Sequence, residues 1–137
     1  MSRTASVVLG AVAMFGLTVF GSEKPPDAYS KNMKETNVAA QELRKNLDAK
    51  DYEAIAKQAA TLKTLFDNTL SFWESRKMED AVELAKSGGK AADELETAAK
   101  NKNDDAVAAA AKTLNGTCKT CHDAHRERLP DGTSEIK

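Results

Sequence analysis

The sequence predicts an all-α protein, an antiparallel four-helix bundle. Three observations carry the prediction. Four consecutive stretches repeat apolar residues every three to four positions, cap and turn residues recur between them, and no segment alternates apolar with polar residues in the period of two expected of a half-buried strand. The chain has 137 residues, enough for one domain and too few for two of ordinary size.

The elements follow in order. Residues 1–21 read as a secretory signal peptide: Arg3 precedes an uncharged apolar run of about 16 residues from Ala5 to Phe20, and polar residues follow. The run is shorter than the roughly 20 residues of a membrane span. Val19-Phe20-Gly21 suggests cleavage after Gly21, although it is not an Ala-x-Ala site, and an uncleaved N-terminal anchor is the competing expectation. The domain is then 22–137, exported to the periplasm and mildly acidic once Arg3 is lost.

Pro25-Pro26-Asp27 opens the first helix, with Asp27 in position to cap it. Its apolar stripe runs Tyr29, Met33, Ala40, Leu43 and Leu47, and Asp48-Ala-Lys-Asp51 interrupts it. The second stripe is Tyr52, Ile55, Ala59, Leu62, Phe66, Thr69 and Trp73, and the segment from Phe72 to Asp80 must hold the next turn. The third carries Val82, Ala85, Gly89, Ala92, Leu95 and Ala99. Gly88-Gly89 within it costs roughly 1 kcal/mol per glycine against alanine, so it marks a break or a close approach by a neighbour. Asn103-Asp104-Asp105 caps the fourth, whose stripe is Val107, Ala111, Leu114, Cys118, Cys121, His122 and His125, ending at Leu129-Pro130-Asp131-Gly132.

Composition excludes some functions. A formal net charge of -1 gives no basic excess, so nucleic acid is not expected as a partner. Both signs are interspersed, which argues against a disordered acidic tail. No nucleophile–base pair or carboxylate constellation stands out, so neither an enzyme nor a small-molecule substrate is expected. Aromatic residues are only 5%, and alanine supplies much of the apolar count, which suggests a bundle with room for a ligand.

Cys118-Lys119-Thr120-Cys121-His122 is the C-x-x-C-H sequence that attaches c-type haem. On a helix its cysteines and histidine stand at i, i+3 and i+4 and share one face. Both sulfurs can then bond to the haem vinyl groups while the imidazole reaches the iron. Other readings of the pair fit less well. Structural zinc wants four ligands, and only His125 is an obvious addition. A redox C-x-x-C normally opens a helix after a strand, and i, i+3 on a helix is poor disulfide geometry.

The motif lies late in the chain, on the last helix, and Cys118-Lys-Thr-Cys-His-Asp-Ala-His-Arg126 resembles the ending of the class II c-type cytochromes, the cytochrome c-prime family and its low-spin, methionine-ligated relatives. His125 stands where that family usually has Tyr or Phe. The resemblance implies one covalent haem c on the C-terminal helix of the bundle, redox proteins as partners, and a homodimer formed through the first two helices. It implies a distal residue from the first helix: Met33 there would give a low-spin electron carrier with iron held by His122 and Met33. An apolar residue that does not bind iron would instead leave a five-coordinate binder of nitric oxide or carbon monoxide. Arg126 would lie against the haem and help neutralise a propionate, an expectation supported by its place four residues after His122 on one helical face. Met78 falls near a turn, His125 is too near His122 to reach the opposite face of the iron, and Trp73 is expected in the core.

Overall fold

The computed structural model describes residues 21–137, so the expected signal peptide lies outside the described residues except for Gly21. Four helices follow one another: α1 (Asp27–Ala49), α2 (Tyr52–Arg76), α3 (Glu79–Lys100) and α4 (Asp104–His125). Short connections make neighbours antiparallel. α1 packs on α2, α2 on α3 and α3 on α4, whereas α1 and α4 scarcely touch. No helix among the described residues is long and apolar enough to cross a membrane.

The helix boundaries have local causes. Asp51 caps α2 by accepting from the Ala54 amide at 3.0 Å, and Asn103 caps α4 through the Ala106 amide at 3.1 Å. Asp27 does not cap α1: it is the first helical residue, and Pro26 stands at the cap with no side-chain bond. α1 and α2 end on Lys50 and Lys77, and Lys102 follows α3; all three hold positive φ, where glycine is the usual occupant.

The core is mainly aliphatic. Ile55, Leu62 and Leu95 are almost wholly enclosed, and Ala59, Ala92, Ala99, Val107 and Leu114 pack around them. The α2 stripe is buried from Ile55 to Trp73 as the periodicity predicts, and the α4 stripe is buried at Val107, Ala111, Leu114 and His125 but only half-buried at Cys118, Cys121 and His122. α1 departs from it: its buried residues are Asn32, Ala39 and Leu43, while Tyr29, Met33 and Ala40 are only half-buried. The glycine pair does not break α3. A β-carbon at Gly88 would lie 2.1 Å from Cε1 of Phe66, so the glycine admits that ring between the helices.

One further correction concerns the C-terminus, where no strand was expected. α4 stops at His125, and β1 (Arg126–Arg128) pairs antiparallel with β2 (Ser134–Ile136). Leu129-Pro-Asp-Gly is therefore a turn within a hairpin: Gly132 has φ 85°, and Asp131 accepts from the Thr133 amide at 2.9 Å. Ile136 exchanges backbone bonds of 2.8 Å with Glu23 on its other edge. Its side chain is buried with Trp73 and Ala81. An ion pair from Arg76 to Glu23 also ties the start of the domain to the end of α2.

Candidate functional site

The antiparallel order brings the start of α1, the end of α2, the start of α3 and the end of α4 to one end of the bundle. The C-x-x-C-H motif occupies the last two turns of α4 there. Cys118, Cys121 and His122 are all half-buried, between buried Leu114, Thr117 and His125 and exposed Lys119, Thr120 and Asp123. The three residues thus share one face, as their spacing predicts. Both cysteines are free.

That face borders the open side between α1 and α4. Tyr29 and Arg44 of α1 lie within electrostatic reach of Cys121 and Cys118 respectively. Met33 is one turn beyond Tyr29 on the same stripe, and Arg44 lies three turns further on in nearly the same direction. Helical side chains lean toward their helix N-terminus, which brings the long Arg44 side chain back toward the motif.

The electrostatics suit neutral ligands. Burial pushes the Cys121 thiol up to about 11, helped by Cys118 and Asp80, and burial raises Cys118 as well. A disulfide exchanger needs the opposite, a thiolate at neutral pH. Burial, then the nearby Arg126 charge, lowers His122 below the ordinary histidine value and favours the neutral imidazole that binds iron. Tyr29 is raised strongly, by burial first and then by Cys121.

Aromatic residues line this end. Tyr29 stacks on Phe72 with ring centroids 3.9 Å apart, and Trp73 meets both edge-on. His125 is buried, 5.0 Å from the Trp73 ring. Its Nε2 lies 3.0 Å from Oδ2 of Asp80 but out of line for a hydrogen bond. Nε1 of Trp73 is also buried with no partner among the described residues.

These features fit a covalently attached haem. Two free thiols and an imidazole whose neutral form burial favours share one half-buried helix face, on the side of α4 that packs least against its neighbour α1. The cytochrome C' family model matches residues 67–126, from the second half of α2 through the motif. Over that stretch, just under half of its length, the chain is similar to the cytochrome c' family. Cytochrome c' from Rubrivivax gelatinosus has the same fold: the match has a TM-score of 0.56 at 20% identity and covers 69% of this chain and 88% of that one. No curated protein sequence matches. That similarity ends on the C-x-x-C-H motif and supports reading the chain as a c-type cytochrome with haem c as its cofactor.

The other expected site residues stand as follows. Met33 is half-buried on the stripe that Tyr29 begins. Arg126 is not on the helical face of His122, because α4 has already ended; it is exposed in β1 with extended backbone (φ -121°), though its charge still acts on His122. Met78 is exposed at the start of α3. Sequence reading missed Asn32 and Asp80, since neither lies on an apolar stripe. It missed Ile136 too, although Pro-Asp-Gly before it carries a hairpin-turn signal.

Proposed function

We propose that this chain is an exported, periplasmic monohaem cytochrome that carries single electrons between redox proteins. In this reading Cys118 and Cys121 hold the haem, His122 is the proximal ligand and Met33 the distal one. When bound, haem c supplies reversible one-electron chemistry at its iron. The chain's own residues set access and environment. The observation that carries the reading is the α1 stripe: Tyr29 and Arg44 both reach the cysteine pair electrostatically, and Met33 lies between them on the same face. A thioether there raises the reduction potential and occupies the position a gas would take. Burial first, and then the Arg126 charge, favour the neutral form of His122, and Arg126 is suited to balancing a propionate. Pairing of two copies through α1 and α2 remains part of the proposal.

A second reading has its own support. The family is typically five-coordinate, and the family match begins at residue 67, beyond α1. In that reading Met33 is a packing residue, and the distal side binds nitric oxide or carbon monoxide.

Optical spectra of the matured protein, oxidised and reduced, with and without carbon monoxide, separate the two. The electron-carrier reading expects a low-spin spectrum with a methionine-to-iron charge-transfer band, lost in Met33→Ala, and no response to carbon monoxide. A high-spin spectrum that shifts with carbon monoxide would overturn Met33 ligation and favour the gas binder.

A further inference from the structure

We propose that Asn32 is a positioning residue: its buried hydrogen bonds to α2 set the rotation of α1 and so aim Met33 across the open side toward α4. The proposal rests on the reading of Met33 as distal ligand. At this end α1 is packed on α2 and scarcely on α4, so α2 must supply whatever fixes its rotation.

Asn32 is 8% exposed and is the one polar residue among the three buried on α1. Its Nδ2 donates to the Leu65 carbonyl at 3.1 Å and to Thr69 Oγ1 at 2.9 Å. Its Oδ1 accepts from Asn68 Nδ2 at 3.2 Å. Both amide donors and the acceptor are therefore used, and all three partners lie on α2.

Elsewhere this interface holds the aromatic contacts of Tyr29 with Phe72 and Trp73, an exposed hydrogen bond from Gln58 to Glu42, and buried aliphatic residues. Ala39 and Leu43 fill it higher up, and contacts of that kind tolerate a small rotation or slide with little penalty. A buried amide does not. Turning α1 by one residue, about 100°, would put Lys31 or Met33 where Asn32 stands and orphan the Asn32 amide. The α2 groups satisfied at present would lose a partner too. Buried polar groups of this kind can specify register where apolar ones supply only stability. Met33 follows Asn32 directly, so any rotation that Asn32 prevents would move Met33 by the same angle. Tyr29 cannot serve alone, because its stack on Phe72 is a face contact that can slide.

The experiment uses the haem-loaded full chain with Asn32→Leu, Thr69→Val and Thr69→Ser, and Met33→Leu as reference. Leucine keeps the branched, four-heavy-atom shape of asparagine in a larger volume and without its hydrogen bonds; serine keeps the Thr69 hydroxyl, and valine removes it while keeping the size of threonine. Three readouts are taken: the methionine-to-iron charge-transfer band, the rate of carbon monoxide binding to reduced protein, and the thermal midpoint. Asn32→Leu and Thr69→Val should stay folded at 25 °C, lose most of the band and bind carbon monoxide at least tenfold faster than the parent, approaching Met33→Leu. Thr69→Ser should behave as the parent. A lowered midpoint in Asn32→Leu and Thr69→Val with the band and gas exclusion intact would overturn the proposal, leaving Asn32 as a packing residue. Should Asn32→Leu fail to fold, Thr69→Val against Thr69→Ser decides alone. A parent that lacks the band overturns the Met33 reading itself, and the positioning role with it; a parent with the band and variants that keep it overturn only the role of Asn32.

Discussion

The two opposite sides of this bundle are built differently. Between α2 and α3, small residues bring the helices so close that Phe66 needs the missing β-carbon of Gly88. Between α1 and α4 the helices scarcely meet, and the residues facing that side are half-buried: Tyr29, Met33, Ala40, Cys118, Cys121 and His122. A composition rich in alanine suggests spare volume, yet where the alanines and glycines of α3 meet α2 they close the bundle instead. The C-x-x-C-H motif lies on the loosely packed α1–α4 side, not where the side chains are smallest. The two sides also differ in chemistry. One is apolar, built from aliphatic residues and the Phe66 ring; the other carries two thiols and an imidazole.

The largest test of this contrast is Leu95→Ala. Leu95 is wholly enclosed, and its truncation should cost about 2–5 kcal/mol, read as a lowered midpoint in urea, while leaving the haem spectrum unchanged. A changed spectrum would mean that the two sides are not independent.

A smaller effect is expected from the glycine pair, and it should differ between neighbours. Gly88→Ala places a methyl 2.1 Å from the Phe66 ring and should destabilise by about 1–3 kcal/mol. Gly89→Ala meets nothing nearer than 3.7 Å and should be neutral or stabilise by up to about 1 kcal/mol through helix propensity. Equal effects on the thermal midpoint would show that Gly88 does not govern the α2–α3 approach.

The smallest effect concerns how α4 is tethered at the end remote from the motif. Asp104 at the start of α4 accepts from Lys50 at 2.8 Å and from the Tyr52 hydroxyl, bridging to the α1–α2 turn. Those bonds, Lys50 first, hold its carboxyl below the ordinary 3.8. The folded state therefore binds its proton less readily than the unfolded chain. The contribution is present above about pH 4 and is lost as pH falls through the folded value. Asp104→Asn should lower the midpoint slightly at pH 7, and the gap from the parent should close on acidification. A gap independent of pH would assign the effect to something other than this carboxylate.

Much of the fold was legible because helices bury one face and the code for that is local. Ile55, Leu62, Phe66 and Trp73 announce α2 at a spacing that only a helix satisfies. α1 was harder. Its buried stripe includes Asn32, a residue that apolar periodicity passes over, so Tyr29, Met33 and Ala40 took its place in the sequence reading although they face the open side. The lysines at positive φ were equally silent, since glycine is the usual signal there. Arg126 looked helical because helical spacing cannot report where a helix ends.

What the sequence determined by itself is the set of local facts: four amphipathic segments, the Asn103 cap, and a motif whose i, i+3, i+4 spacing puts two thiols and an imidazole on one helix face. These depend only on residues within a turn or two of each other. The tertiary structure alone decided which neighbouring helices close together and which stay apart. It decided that Asn32 is satisfied by α2, that Ile136 returns to cover Trp73 and pair with Glu23, and that Gly88 admits Phe66. Each of these joins residues far apart in sequence, and whether a buried polar group or a missing side chain is tolerated depends on the partner that packing brings to it.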